Sequence, residues 1–322
     1  MSARALWCIA PSRAEVRSAV EGDGIAVDTL FTGISRGTER LVFEGRVPGS
    51  ETQRMRAPAQ EGDFPFPVKY GYCAVGIARE GAHEGREVFA LHPHQTRFRM
   101  DAAMLTPLPD GLTAKRAILG ANMETALNIL WDGGAAPGDR IAVIGAGVIG
   151  ALTGYLAARI PGTDVTLVDS NPGRAGLARA LGCGFAVPDD AEGRAPRECD
   201  LVIHATATAE GLALALDCAG QDATVVEASW HGTGTSPVPL GGAFHCRRLR
   251  LVSSQVGHMP PARAPRWSLG RRMAKALELL RDPVLDALIS GETQFDDLPQ
   301  TYGAILADPA TLCHRIRYAT QP

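Results

Sequence analysis

The sequence predicts a two-domain α/β chain: a β-rich first part, a doubly wound parallel sheet, and a short return segment. Three observations predict it. Before residue 115, strand-sized runs are separated by turns rich in glycine and proline. From Arg140 onward, apolar strand-sized runs alternate with helix-sized stretches, the pattern of a parallel sheet covered on both faces. Between two of those runs stands a glycine-rich turn, Gly145-Ala146-Gly147-Val148-Ile149-Gly150, placed where a strand hands over to a helix.

Taken in order, residues 24–31 are rich in Ile, Val, Leu and Phe and suit a half-buried strand. Residues 68–78 and 87–91 read similarly. Pro65-Phe66-Pro67 and Leu108-Pro109-Asp110-Gly111 punctuate the connections, and the polar stretch 45–63 reads as an exposed loop or a lid. The second part carries strand-sized runs at 141–144, 165–168, 201–204, 224–228 and 249–253. Val148, Ile149, Leu152, Tyr155 and Leu156 recur at helical spacing between the first two. Asn171-Pro172 reads as a helix start, an N-cap followed by proline. Past residue 270 a helix at 271–280 and segments at 288–289 and 295–306 make a tail too short to stand alone, so it is expected to complete the first domain. The expected boundaries are 1–117, 118–270 and 271–322.

Composition narrows the function classes. With 322 residues, 45% hydrophobic and 21% charged, the chain can bury two cores. A net charge of −3 gives no reason to expect nucleic acid or an anionic membrane as partner. The seven cysteines are scattered with no CxxC pair, which fits a reducing compartment better than a disulfide framework or a zinc ribbon. Residues 1–10 lack the basic region and long apolar run of an export signal, so a cytoplasmic location is expected. Residues 141–158 carry no charge over eighteen positions, near the length of a membrane span. Its glycines and flanking turns favour a strand, a tight turn and a buried helix.

The glycine-rich turn carries the strongest chemical signal. It follows an apolar strand, opens an apolar-periodic helix, and is followed by Asp169 nineteen residues beyond Gly150, the context of a dinucleotide fingerprint. Gly145 permits the tight turn, Gly147 lets the backbone approach a pyrophosphate, and Gly150 lets the helix pack against the sheet. Val148 and Ile149 supply helix N-terminal amides. Asp169, with Ser170 beside it, can accept from both ribose hydroxyls and would repel a 2′-phosphate, which favours NAD(H) over NADP(H); Arg174 works against that preference. At strand ends, where such sheets bind ligands, stand His204, Ala205 and Thr206, then Ser229, Trp230 and His231. Trp230 either walls a nicotinamide pocket or simply packs.

The chain resembles the medium-chain dehydrogenase/reductase superfamily over essentially its whole length. Gly33-Ile34-Ser35-Arg36-Gly37-Thr38-Glu39 looks like that family's first catalytic-domain motif, and Phe66-Pro67-Val68-Lys69-Tyr70-Gly71-Tyr72-Cys73 like its second. Gly85-Arg86-Glu87-Val88-Phe89 and Leu108-Pro109-Asp110-Gly111 fit the strand and linker that follow. The resemblance implies a discontinuous GroES-like catalytic domain, a Rossmann domain inserted before the final segment, and often a homodimer. The first motif, and the ending Phe295-Asp296-Asp297…Tyr302…Pro309…Leu312, look most like the bacteriochlorophyllide dehydrogenase branch.

The departures bear on chemistry. Where the family places its catalytic zinc ligands, this sequence has Ser35 or Arg36, Tyr72, and a position near Ala121. None is a competent zinc ligand at neutral pH, and no cysteine lies between Cys73 and Cys183 to build a structural zinc lobe. No zinc is therefore expected; a makeshift site from Cys73, His92 and His94 is the alternative. Without a Lewis acid, hydrogen bonds and a general acid/base must handle the proton. The candidate catalytic side chains are Tyr72, Thr38, His92 and Ser35. Tyr72 takes the place of a ligand beside the reacting carbonyl, unless it only fills vacated space. Thr38 matches the family's proton-relay hydroxyl or caps a helix, and His92 shuttles a proton or is structural. Thr125 matches a position near the cofactor ring; Glu124 is an acid/base group or an ion-pair partner.

The expected activity is a zinc-free, NAD(H)-dependent oxidoreductase acting on a secondary alcohol or ketone of a small-molecule substrate. Two alternatives remain at this stage: an NADPH-dependent enoyl or quinone reductase, and a nucleotide-binding protein without turnover.

Overall fold

The computed structural model describes residues 2–188 and 195–319. They divide into two compact units, Met1–Ala121 with Gly270–Pro322, and Asn122–Leu269.

The first unit is β-rich. In chain order its elements are β1 (Arg4–Ala10), β2 (Arg13–Ser18), β3 (Ile25–Ser35), α1 (Arg36–Phe43), β4 (Glu61–Gly62), β5 (Val68–Lys69), β6 (Ala74–Ala78), β7 (Glu87–Ala90), β8 (Arg97–Met100), β9 (Thr106–Pro107) and α2 (Ala114–Ala117). Strand β3 is its spine: it pairs antiparallel with β6 and β8 and buries Val27, Thr29, Thr32 and Ile34. Val27 packs with Ala74, Ala78, Val88, Ala90, Phe98 and Met100 in one apolar core. The stretch expected as one strand at 68–78 is two. Between β5 and β6 the chain leaves the sheet at Tyr70–Cys73, where Gly71 adopts φ +128°. A Cβ at Gly71 would lie 3.2–3.3 Å from the ring and backbone of His94, so glycine lets this link close over that histidine.

The second unit begins within α3 (Gly120–Gly133) and continues with β10 (Arg140–Ile144), α4 (Val148–Ala157), β11 (Asp164–Val168), α5 (Ala175–Ala180), β12 (Gly184–Ala186), β13 (Cys199–His204), α6 (Ala209–Cys218), β14 (Ala219–Glu227) and β15 (Arg250–Ser253). Its six strands run in the order β12-β11-β10-β13-β14-β15, every pair parallel. That is the doubly wound 3-2-1-4-5-6 order, whose reversal point lies between the first and fourth strands, here β10 and β13. The central strands are buried on both faces: Ile141, Ala142, Val143, Val202 and Ile203 are fully enclosed. The register aligns the strand ends, Ile144 beside His204, His204 beside Glu227, and Glu227 beside Ser253. The uncharged stretch 141–158 resolves into β10, a tight turn and α4, and no helix among the described residues is long and apolar enough to cross a membrane.

The tail returns to the first unit as α7 (Leu269–Leu279), β16 (Ile289–Gln294), α8 (Leu298–Ala307) and β17 (Cys313–Arg317). Strand β17 runs antiparallel to β3 and parallel to β16, giving a seven-stranded sheet: the path β16-β17-β3-β6-β7-β9, with β8 paired to β3 off that path.

Candidate active site and cofactor loop

In the second unit the fingerprint turn has the geometry its glycines imply. Gly145 sits at φ +105°, and its N–H donates to the carbonyl of Val168 at 2.7 Å. A Cβ on Gly150 would lie 1.8 Å from the Gly145 carbonyl oxygen, so α4 can start this close to the loop only with glycine there. Gly147, the N-cap of α4, has open space where a Cβ would point. The amides of Val148 and Ile149 open this helix, where the positive end of the dipole and unpaired N–H groups favour an anion.

Asp169 follows β11 and is half-buried. Its Oδ2 accepts from the N–H of Ala146 within the turn (2.7 Å), and its Oδ1 accepts from the N–H of Asn171 (2.8 Å). Each oxygen keeps a second acceptor site, so the carboxylate is fixed in place and still able to take a ribose hydroxyl. Asn171 caps the following turn, accepting from the Gly173 N–H with Pro172 at the first position. Ser170 is exposed and Arg174 half-buried in that turn. Thr206 bonds His204 Nε2 (2.7 Å) and the Thr208 hydroxyl (2.9 Å). Trp230 is half-buried in the loop after β14, and Thr125 half-buried on α3. Turn, open space, helix start and carboxylate together fit a dinucleotide. They would hold its pyrophosphate and ribose while it supplied hydride chemistry.

In the first unit, Tyr72, Ser35 and Thr38 converge: the Ser35 and Thr38 hydroxyls lie close enough to the Tyr72 phenol to act on its titration. Burial pushes the Tyr72 pKa up, and these two hydroxyls pull it only part of the way back. The phenol is therefore neutral at neutral pH, a donor rather than a phenolate base. Thr38 does not cap a helix. The cap position of α1 is Ser35, whose side chain makes no capping bond, while Thr38 lies inside the first turn.

Beneath this cluster lies a polar network whose extent the sequence did not disclose. Glu39, fully buried, accepts from the Ser35 N–H (2.7 Å), His94 Nε2 (2.9 Å) and the Tyr302 hydroxyl (2.7 Å). His94 Nδ1 bonds the Thr32 hydroxyl (2.7 Å), which in turn meets Tyr318 (3.1 Å). Residues from β3, α1, the 92–95 turn, α8 and the C-terminal tail thus hold one carboxylate. Only the GTE phrase and the pair of histidines hinted at it.

His92 stands apart. Its ring stacks on Phe98 at 3.9 Å and 11°, with Nδ1 on the Pro93 carbonyl at 3.1 Å. Burial first, and the nearby Lys69 charge second, push its pKa down to about 3. A histidine held neutral in a stack is a packing residue; the geometry does not support the proton-shuttle reading.

The positions that would hold a catalytic zinc do not fit one. Ser35 and Tyr72 offer only hydroxyls, Arg36 Nε donates to the Leu306 carbonyl (3.0 Å), and buried Ala121 offers no side-chain donor. Zinc sites are built from thiolate, imidazole or carboxylate. Cys73, His92 and His94 are not gathered as a substitute. Among the described residues the one group of three metal-ligating side chains is His204, Glu227 and His231 of the second unit. Glu124 is buried on α3.

No protein-family model matches the chain. D-guloside 3-dehydrogenase of Escherichia coli K12 is 26% identical over 208 residues, spanning 62% of this chain and 59% of the relative. A Sinorhizobium meliloti protein described as a zinc-binding dehydrogenase, bound to NADP, superposes with a TM-score of 0.77 at 18% identity, covering 98% of this chain and 99% of that one. A short chain alcohol dehydrogenase of Escherichia coli CFT073 complexed with NADH gives 0.77 at 14% identity, covering 99% and 100%. The fold is that of the alcohol-dehydrogenase-like enzymes. At these identities the likeness is one of architecture, a β-rich unit and a doubly wound nucleotide-type unit.

Proposed function

We propose that this chain is an NAD(H)-dependent oxidoreductase that moves hydride between the nicotinamide and a secondary alcohol or ketone of a small molecule, without zinc at the catalytic position. The observation that carries the reading is the fingerprint turn with Asp169 pinned to it through the Ala146 N–H. Relatives of the same architecture that hold NADP or NADH support a nicotinamide cofactor.

The chain's own residues handle the proton. In the reducing direction a substrate carbonyl oxygen accepts a hydrogen bond from the neutral Tyr72 hydroxyl. As hydride arrives at carbon, that oxygen takes the Tyr72 proton to become the alcohol. The Thr38 or Ser35 hydroxyl then relays a proton from solvent to the phenolate, receiving one as it gives one, so one solvent proton is consumed per turnover. A neutral phenol suits this role because it donates without first having to be protonated. The oxidised group is read as a sugar-like or polyol carbinol, since the curated relative acts at position 3 of a guloside. A hydroxyethyl side chain, which the bacteriochlorophyllide-like phrases suggest, is the other member of that class. A cytoplasmic homodimer is the form in which we expect it to work.

An NADPH-dependent reductase is the second reading, favoured by Arg174 in the turn that follows Asp169 and by the NADP-bound neighbour. Titration of the metal-free protein with NADH and NADPH, alongside its Asp169→Ser variant, separates them. Tighter NADH binding that relaxes toward NADPH in the variant supports the proposal. Equal affinity for both, unchanged in the variant, removes the ribose assignment. Turnover of any secondary alcohol excludes a purely nucleotide-binding role.

A further inference from the structure

At the carboxyl ends of β13 and β14, two histidines and a glutamate converge on one point. The parallel register sets His204 directly beside Glu227, and the chain leaving β14 brings His231 back over both. His204 Nδ1 lies 2.6 Å and His231 Nε2 3.4 Å from Glu227 Oε2, and the three ligand atoms lie within 4.8 Å of one another. We propose that His204, Glu227 and His231 form a three-ligand site for a divalent transition metal ion such as Zn²⁺ or Co²⁺, with a fourth position open to water.

Three features argue for a ligand set rather than a chance cluster. Each imidazole has its outward nitrogen on a hydroxyl: His204 Nε2 on Thr206 Oγ1 at 2.7 Å, His231 Nδ1 on Ser236 Oγ at 2.9 Å. A metal-bound histidine needs that arrangement, because the far N–H must donate while the near nitrogen keeps its lone pair. The carboxylate is oriented in the same way, its Oε1 accepting from the Ser229 N–H at 2.8 Å. Lastly, His204 is fully buried while His231 and Glu227 are only partly so, leaving one side of the triangle open to an entering ion.

The distances suit an ion of this class. Zinc takes nitrogen and carboxylate oxygen at about 2.0–2.2 Å, which puts tetrahedral ligands about 3.3 Å apart. The His231 separation already has that value. The His204 contact, now 2.6 Å, must open by roughly 0.7 Å, replacing a hydrogen bond with two metal bonds. Two imidazoles and one carboxylate favour zinc, cobalt or nickel over calcium or magnesium, which prefer oxygen.

The test is titration of the full chain, stripped of metal with chelator and free of nucleotide, with Co²⁺ and then Zn²⁺. Absorption in the visible and calorimetry are read together. One equivalent of Co²⁺ with an intense tetrahedral-type spectrum, displaced by Zn²⁺, is the expected result. Glu227→Gln and His231→Ala should each weaken binding by at least about 100-fold. Ser236→Ala, which leaves all three ligands in place, should weaken it by about tenfold through loss of imidazole orientation. Cys73→Ser, which removes the donor of the other conceivable site, should leave the affinity unchanged. Failure of the wild-type chain to bind either ion at micromolar concentration overturns the site. So does binding that survives both Glu227→Gln and His231→Ala, or that Cys73→Ser abolishes. Circular dichroism of each variant, matching the wild type, assigns the loss to the ligands rather than to misfolding.

Discussion

Tyr72 and His92 show how burial alone divides two side chains of similar promise. Both sit near the spine strand, and both have pKa values moved mainly by desolvation. For the tyrosine this keeps the proton on, so the neutral donor persists through the pH range where an exposed tyrosine ionises, around 10. Tyr72→Phe should therefore lower kcat for carbonyl reduction by about 10²–10⁴-fold while NADH affinity and Tm stay close to wild type. A variant retaining most of its kcat would leave Tyr72 as a space-filling residue. For His92, burial keeps the proton off. The unfolded chain binds a proton on this ring below about 6.5 and the folded chain only near 3, so the stability from keeping it neutral is full above 6.5. It is lost as pH falls toward 3, on the order of 5 kcal/mol in all. The groups nearest in charge are Lys69 and His94. His92→Phe, which preserves a ring over Phe98, should flatten the fall in unfolding free energy between about pH 6.5 and 4. Denaturant unfolding at a series of pH values reads this directly, and an unchanged slope would show that other groups set it.

At the level of elements, the strand–turn–helix β10–α4 was legible because its constraints are local. The glycines, the apolar strand and the helical periodicity all fall within about twenty residues, and the carboxylate follows at the end of the next strand. What the sequence hid is what strand register and loop closure bring together. Glu39 meets His94 and Tyr302 across 55 and 263 positions, and His204 meets Glu227 because β13 and β14 align. No local pattern encodes either. The stretch 68–78 misled for a related reason: its composition is that of a strand, but Gly71 lets the link close over His94 and breaks the run in two. The local case also makes the sharper prediction. In Gly150→Ala the new methyl would collide with the Gly145 carbonyl oxygen, backbone that cannot rotate away. The start of α4 must then move off the loop, costing about 1–3 kcal/mol and separating the amides that would hold a pyrophosphate. We expect a lower Tm together with at least a tenfold loss of NADH affinity. A variant that binds NADH as the wild type does would mean the loop closes differently when occupied.

The whole molecule is governed by an asymmetry in how the two units use the chain. Every strand pairing of the parallel sheet falls within Asn122–Leu269, so this unit closes its core from one continuous segment. The β-rich unit cannot. Its spine strand β3 has β17 as a neighbour, with Cys313 opposite Ser35 and Ile316 opposite Thr32, and the buried Glu39 carboxylate needs Tyr302 from α8. Loop-closure entropy rises only slowly with loop length, so a sheet can recruit a strand from nearly 280 positions away, but it then depends on that strand. Removing residues 289–319 should expose one edge of β3, take a donor from a fully buried carboxylate and release Tyr318 from Thr32. Taking one donor from a buried acceptor costs about 1–3 kcal/mol, and the unpaired edge of β3 adds to it, against a domain stability that is itself small. The truncated chain should therefore lose protection from amide exchange across β3 and β6 while β10, β13 and β14 stay protected. It should also keep NADH binding within about threefold and lose all turnover. Loss of protection in both units together would show that they fold as one cooperative body.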